Sequence, residues 1–502
     1  MEELNGNTGH DYPGKEFDDQ WQQFVFPKDY VNPEPKSRYH LVVIGAGPAG
    51  LITSIAAAGL GAKVALIERH AMGGDCLNVG CVPSKALIHQ AKLAKSLGED
   101  TQNAELSPLL FSQAMSWVRE VRFDISEHDS VKRYSEAGVD VFLGEARFID
   151  EHTIAVGDTH LNTKKSVICT GARASVIPFE GLEETGYLTN ESVFDIKERP
   201  KSIALIGAGP IGCELAQAFN RLGTKVYLLD AAPRIMPREE VEASEVVSEA
   251  LKQEGVVVKT GVQIKKVSKS ENCKVIDFEN NESIEIDEIV CALGRLPNIE
   301  GLDLDKVGVE TDPRVGVKVN DKLQTANPNI YAAGDICFPY KFTHTADAQA
   351  RIVIQNSLFK GRAKTSKLVI PWCTYTDPEV AHVGLNKDDA DKQQIKYDAI
   401  KVSLADLDRS KTDDKLVGYA EVLVGKKGKI IGATIVGESA GELLAPITVL
   451  MSNKLGVGAL AKSIMPYPTR SEYLRRIADE YNRKKLTPFV AKLFKLWFKL
   501  TG

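Results

Sequence analysis

The chain has 502 residues, 43% of them hydrophobic and 26% charged, with a formal net charge of −6. That is an ordinary globular composition, long enough for three or four domains. It excludes a broad basic surface for nucleic acid, and eight scattered cysteines exclude a disulfide scaffold.

The opening Met1-Glu2-Glu3-Leu4-Asn5-Gly6 lacks the pattern of a signal peptide. No run of about 18 apolar residues marks a membrane span, so a cytoplasmic location is the expectation. No CxxC or HxxxH spacing argues for structural zinc, and no metal ligands are assigned. Residues 1–37 are polar with scattered aromatics, Trp21, Phe24, Phe26 and Tyr30, before Pro33 and Pro35. They read as an extension draped on the body or partly disordered, with no chemistry assigned.

At Leu41-Val42-Val43-Ile44 an apolar strand begins. Gly45, Gly47 and Gly50 follow in GxGxxG spacing, then an Ala-rich helix and a second strand ending in Glu68. Strand, glycines, helix, strand and acid in register form a dinucleotide fingerprint. The glycines allow a tight turn and close approach to a pyrophosphate, the helix start favours its charge, and Glu68 accepts from ribose hydroxyls.

Next comes Gly73-Gly74-Asp75-Cys76-Leu77-Asn78-Val79-Gly80-Cys81-Val82-Pro83-Ser84-Lys85, running into a helix. Taken alone, Cys76 and Cys81 are either a redox pair at a helix start or two buried structural thiols. Five residues of regular helix rise roughly 7.5 Å, whereas bridged Cα atoms sit about 4.4–6.8 Å apart. A bridge therefore needs a loop or a distorted first turn, which Gly80 and Pro83 allow.

A charged helical stretch covers about 105–137, and short strands follow, including 139–143 and 153–156. The stretch Ser166 to Arg173, with Cys169, Thr170 and Gly171, reads as a buried strand ending at a glycine. A second fingerprint then repeats the first, with Gly207, Gly209, Gly212 and Asp230. Two fingerprints imply two dinucleotides, and in that company the cysteine pair reads as a redox centre. Asp230 favours NADH because a carboxylate repels a 2′-phosphate, although Arg234 and Arg238 lie just beyond it. A strand ending at Gly294 closes this module, and another runs into Gly334-Asp335 before an Ala-rich helix from Thr345 to Leu358. From about Leu368 the pattern is antiparallel strands with helices at 440–452 and 457–463, an α+β domain. In the tail, Thr487 and Pro488 start a helix with Lys492, Lys495 and Lys499 on one stripe and apolar residues elsewhere. Residues 487–500 read either as a peripheral membrane helix or as a helix packed on the body or across a dimer.

From about residue 39 to 482 the chain resembles the FAD-dependent pyridine nucleotide–disulfide oxidoreductases, in the branch of mercuric reductase and dihydrolipoyl dehydrogenase. The motifs that carry this are Gly74 to Lys85, both fingerprints, Ala333-Gly334-Asp335 and Tyr467-Pro468-Thr469-Arg470-Ser471-Glu472. The resemblance implies an α/β fold with two Rossmann-like domains, for FAD and NAD(P), and a C-terminal α+β dimerisation domain. The boundaries expected are 1–37 extension, 38–190 FAD domain, 191–312 NAD(P) domain, 313–367 returning FAD segment, 368–485 interface domain and 486–502 amphipathic helix.

It also implies a homodimer in which hydride passes from NAD(P)H to FAD and then to a Cys76–Cys81 disulfide. Cys81 would face the flavin, Cys76 would meet a small disulfide or a metal ion, and Lys85 would pair with Glu214. The implied cofactor set adds Gly74, Lys85, Ala146, Thr170, Gly171, Asp335, Thr343 and His344, with Gly294 on the nicotinamide side. Where many members have His-Pro, supplying the acid/base from the partner subunit, this chain has Tyr467 ahead of Glu472. A tyrosine with a pKa of about 10 is a poor base at neutral pH. Mercuric reductases share the tyrosine but carry a cysteine pair near the C-terminus, whereas the last cysteine here is Cys373. The expected activity is mercuric reductase-like; the alternatives are a dihydrolipoyl dehydrogenase and, in another class, a membrane-associated redox-sensing flavoprotein.

Overall fold

A computed structural model describes residues 12–98, 103 and 105–502. The chain divides into two compact units, Met1–Pro233 with Glu254–Lys367, and Arg234–Gln253 with Leu368–Gly502.

The first unit contains two parallel sheets. In one, the strands lie in the order Ile330–Ala332, Ser166–Ile168, Leu41–Ile44, Val64–Glu68 and Val139–Leu143. All its pairings are parallel, with Leu41 opposite Val64 and Val42 opposite Ser166. Leu41–Ile44 and Val64–Glu68 are buried along their whole length, which is why they read as unbroken apolar runs rather than alternating ones. The edge strand Ile330–Ala332 comes from beyond the second fingerprint, so one sheet is closed by residues nearly 300 positions apart. The other sheet has the order Val257–Thr260, Lys225–Asp230, Ser202–Ile206 and Glu288–Cys291, again all parallel.

Each fingerprint helix starts directly after its glycine turn, at Pro48–Gly59 and Pro210–Arg221, with proline at the first helical position and no side-chain cap. The predicted helical stretch over 105–137 is two helices, Leu106–Ser126 and Val131–Glu136. Ser130 begins the second by accepting from the backbone N–H of Arg133. Near the N-terminus, the extension contains a helix, Lys15–Val25, packed along Leu106–Ser126. The first 11 residues of the extension lie outside the described residues.

The second unit is built on an antiparallel sheet in the order Pro371–Thr374, Glu379–Gly384, Ile430–Gly437, Tyr419–Val424 and Asp398–Ser403. Its edge strand alternates, with Ile400 and Val402 buried and their neighbours exposed, the mark of a sheet packed on one face. That face meets Leu444 and Ile447 of helix Ala440–Ser452, and Leu474 and Ile477 of helix Tyr473–Lys485. Residues 234–253 group with this unit: Trp372 donates to Glu239 (2.7 Å) and the backbone of Lys387 to Glu240 (2.8 Å). The final helix, Pro488–Thr501, is capped by Thr487 and buries none of its residues. No described helix is long and apolar enough to cross a membrane.

Candidate functional site

Two helical pieces present the cysteines. Gly74–Asn78 forms a single turn that carries Cys76, and Cys81 is the first residue of the 16-residue helix Cys81–Ser96. Between them Gly80 takes φ −133° and ψ −113°, which breaks the helical path. A Cβ on Gly80 would lie 2.7 Å from the carbonyl oxygen of Asp75, so the break needs glycine. Both cysteines are thiols in this structure, Cys76 half-buried and Cys81 open to solvent.

Thr343, the first residue of helix Thr343–Phe359, brings its hydroxyl 3.0 Å from Sγ of Cys76 and 3.5 Å from Sγ of Cys81. Cys81 is held below the usual thiol range, chiefly by a hydrogen bond from Cys76, with Thr343 and the Lys85 charge adding to it. The same bond and burial push Cys76 up. The two sulfurs are therefore unequal: Cys81 ionises first and Cys76 keeps its proton.

Lys85 lies one turn past Cys81, and its Nζ sits 2.8 Å from Oε2 of Glu214, which is nearly fully buried. Glu214 belongs to the second fingerprint helix. Ten residues further along the cysteine helix, Lys95 pairs with Glu254 at 2.7 Å, and Glu254 also takes a two-pronged contact from Arg221 (2.7 and 2.6 Å). The cysteine helix is thus tied at both ends to the helix of the second fingerprint.

The glycines of the fingerprints divide into two kinds. A Cβ on Gly50 would lie 1.8 Å from the Gly45 carbonyl oxygen, and one on Gly212 would lie 1.9 Å from that of Gly207. Those glycines are required by the protein's own packing. Gly47 and Gly209 are different: φ is an ordinary −76° and −72°, and a Cβ would meet only the Cα of Gly74 at 3.9 Å in one case and nothing in the other. The space they leave faces uncapped helix starts, which fits a pyrophosphate. Glu68 is buried and accepts from the backbone of Ala46 (2.6 Å) and His70 (2.8 Å). Burial nonetheless pushes its carboxyl up. Asp230 repeats the arrangement on Ala208 (2.6 Å) and Ala232 (2.8 Å).

Other expected residues fall as follows. Asp335 is raised by burial and lies 3.5 Å from Nε of Arg295, which also pairs with Asp75 next to Cys76. Arg295 was not among the expected site residues; its place after Gly294 gave no sign of a partner 220 residues away. Thr170 donates to the carbonyl of Asn298 (2.8 Å), and the backbone of Asn298 donates to Gly171 (3.1 Å). Gly294 has open space where a Cβ would be. Ala146 is buried at the start of strand Ala146–Asp150. His344 is exposed and stacks on Phe342, with ring centroids 5.3 Å apart.

Tyr467 and Glu472 belong to the second unit. Tyr467 is 72% exposed and donates to Asp408 (3.0 Å), a carboxylate that raises its pKa above the ordinary value. Glu472 accepts from Arg476 (3.1 Å), while its Oε2 is buried with no hydrogen-bond partner among the described residues.

The chain matches the pyridine nucleotide-disulphide oxidoreductase family over residues 39–350 and that family's dimerisation domain over residues 370–478. Mercuric reductase from Staphylococcus aureus is 34% identical over 456 residues, covering 89% of this chain and 83% of that protein. Dihydrolipoyl dehydrogenase from Mycoplasma pneumoniae is 31% identical over 455 residues, covering 88% and 98%. The Cu(II) complex of the HOCl-induced flavoprotein disulfide reductase RclA from Escherichia coli superposes with a TM-score of 0.80 at 26% identity, covering 88% of this chain and 99% of that one. The family's enzymes use FAD and NAD(P)H, and the fold, the paired glycine turns and the unequal cysteine pair agree with it. The chain belongs to the pyridine nucleotide-disulphide oxidoreductases, FAD-dependent enzymes with a C-terminal dimerisation domain.

Proposed function

We propose that the chain, as a homodimer, oxidises NADH and delivers two electrons through Cys76 and Cys81 to a small disulfide or a thiophilic metal ion. The observation that carries this is the shared hydroxyl of Thr343 on two sulfurs of unequal acidity, beside the Lys85–Glu214 pair. Bound FAD supplies the step that turns a hydride from NADH into a reduced cysteine pair. The open space at Gly47 and Gly209 supports holding the two pyrophosphates there, and Asp335 would accept from a ribityl hydroxyl.

Opening a Cys76–Cys81 disulfide takes two electrons and one proton, leaving Cys76 as thiol and Cys81 as thiolate. Thr343 and Lys85 stabilise that thiolate. Cys76 then loses its proton to solvent as it attacks an acceptor disulfide, forming one S–S bond and releasing one thiolate. Cys81 attacks Cys76, restores the internal bond and releases the second. A metal ion instead takes the two electrons directly from the pair, which closes to the disulfide as the Cys76 proton leaves to solvent. Tyr467, tied to Asp408 and raised in pKa, is a weak base at neutral pH. This favours reduction of acceptors whose product needs no proton from the protein, a metal ion or a disulfide of acidic thiols, over oxidation of a dithiol.

NADH is favoured over NADPH because Asp230 closes the second fingerprint, while the Arg234 guanidinium is committed to the carbonyls of Met236 (3.2 Å), Pro237 (2.7 Å) and Glu239 (3.0 Å). The test is NADH oxidation screened against Hg²⁺, glutathione disulfide, lipoamide and quinones, in wild type, Cys76→Ser and Cys81→Ser. Turnover of a metal ion or disulfide that both variants abolish is expected. Full turnover in either variant refutes the pair's role, and efficient oxidation of dihydrolipoamide by NAD⁺ replaces the reading with a dehydrogenase.

We further propose that the final helix rests on an anionic bilayer surface. At about 100° per residue, Lys492, Lys495 and Lys499 fall within about 60° of each other, and the apolar arc from Leu496 round to Phe498 spans about 200°. A helix packed on one side needs an apolar stripe of only about 100°. Immersion at a lipid interface covers the wider arc and leaves the lysine stripe in the headgroups. Phe489, Leu493, Phe494, Leu496, Trp497 and Leu500 are all exposed. The last 22 residues carry Arg483, Lys484, Lys485 and the three stripe lysines with no acidic residue, whereas the rest of the chain has 56 Lys and Arg against 68 Asp and Glu. Sedimentation with phosphatidylglycerol vesicles, lost on deletion of residues 487–502, is expected; equal sedimentation of both proteins refutes it.

A further inference from the structure

The N-terminal arm precedes the family match, which starts at residue 39. Its polar sequence offers little reason to pack, yet it is bonded directly to the cysteine loop. Trp21 donates from Nε1 to Oδ1 of Asn78 at 2.9 Å. Asn78 lies between the two cysteines and is 7% exposed. Its Nδ2 in turn donates to the carbonyls of Met72 (3.0 Å) and Gly74 (2.9 Å), so the amide braces the whole turn that carries Cys76. Turning that amide over would set an NH₂ group against the indole N–H, so the Trp21 bond fixes its orientation. At the end of the arm helix, the carbonyl of Val25 accepts from the backbone N–H of Met72 (3.0 Å), where the loop begins.

A charged network holds Trp21 in place. Arg122 lies over its ring, 4.6 Å from the centroid, and donates to Asp18 of the arm (2.6 Å) and to the carbonyl of Asn78 (3.3 Å). Arg119, also nearly fully buried, pairs with the same Asp18 at 3.3 Å. Phe17 and Phe24 stack on Phe123 with centroids 5.9 and 5.6 Å away, which fixes the arm helix on its neighbour.

We propose that the arm positions the cysteine loop, with Trp21 acting through Asn78 as a positioning residue that sets the disulfide–dithiol balance of Cys76 and Cys81. The physical need is clear from the break at Gly80. The two cysteines sit on separate helical pieces, so the chance of their sulfurs meeting depends on how firmly the Gly74–Asn78 turn is held. A loosened turn lowers the effective concentration of one thiol at the other and shifts the pair toward dithiol. This rests on the reading that Cys76 and Cys81 cycle between disulfide and dithiol.

The test is the equilibrium of the pair with glutathione in the holoenzyme, followed by mass after alkylation, for wild type, Trp21→Phe and Phe17→Leu. Trp21→Phe keeps a ring under Arg122 and removes only the N–H. Asp18 is left intact because its loss would take the nearest carboxylate from two buried arginines. Trp21→Phe is expected to move the equilibrium about threefold to tenfold toward dithiol, which is about 15–30 mV for a two-electron couple. Phe17→Leu is expected to lower the melting temperature and leave the equilibrium in place. An equilibrium unchanged in Trp21→Phe, whatever its melting temperature, overturns the arm's role alone. An equal shift in both variants also overturns it, because general loosening then accounts for the effect. A wild-type protein that forms no Cys76–Cys81 disulfide overturns the redox reading and this inference with it.

Discussion

Replacing Thr343 with valine removes one hydroxyl and keeps the side-chain shape. That hydroxyl has a single proton to share between sulfurs at 3.0 and 3.5 Å, and it turns to whichever is ionised. A hydrogen bond to a charged group contributes about 1.5–3 kcal/mol. Shared between two sulfurs at these lengths, the lower end applies, about 1.5 kcal/mol, or about one pKa unit. The bond stabilises the thiolate, so its loss raises the pKa of Cys81. The assay is a pH titration of the long-wavelength thiolate–flavin absorbance in NADH-reduced holoenzyme. The midpoint is expected to rise by about one unit in Thr343→Val, and the absorbance to vanish at all pH values in Cys81→Ser. An unmoved midpoint in Thr343→Val refutes the account of why Cys81 is acidic.

Lys85→Met and Glu214→Gln are expected to move the same midpoint in opposite directions, up and down respectively, because the lysine charge lowers the Cys81 pKa and the glutamate raises it; shifts of the same sign contradict the pairing argument. Gly209→Ala is expected to leave the melting temperature unchanged, since its Cβ meets nothing, and to raise the KM for NADH about tenfold or more. Gly212→Ala, whose Cβ would strike the Gly207 carbonyl, is expected to fail at folding instead. His382 is fully buried, accepts from Thr434 (2.8 Å), donates to the Gly384 carbonyl (3.1 Å) and has a pKa lowered to about 4 by burial. The unfolded chain therefore binds the proton first. Stability is full above about pH 6.5 and falls by about 3 kcal/mol as pH drops toward 4. Denaturant titrations of wild type and His382→Gln across that range check it, and parallel curves contradict it.

The fingerprints and the cysteine turn were readable because their chemistry needs neighbours in sequence. A pyrophosphate is met by consecutive turn residues, and a helix start by the residue beside it. The parallel sheets followed from the two fingerprints, whose strands are unbroken apolar runs such as Leu41–Ile44, and the antiparallel sheet from the strand runs after Leu368. Contacts across the chain left no such mark. Thr343 was expected on the cofactor, and nothing in Phe342-Thr343-His344 announces two sulfurs more than 260 residues earlier. Arg295 on Asp75 is hidden for the same reason. The arm's hold on Asn78 was missed because a lone tryptophan in a polar segment has no periodicity to betray what its N–H will find.

The edge strand Ile330–Ala332 fixes an order of events during synthesis. The chain emerges N-terminus first, so Ser166–Ile168 is made long before its neighbour. Until residue 332 leaves the ribosome, that strand is an unpaired edge open to other chains. The second fingerprint's sheet, made entirely from residues 202–291, is complete by then. The nucleotide module inserted in the middle can fold while the one that encloses it is still waiting. A nascent chain stopped between residues 300 and 325 should therefore hold NADH before it holds FAD.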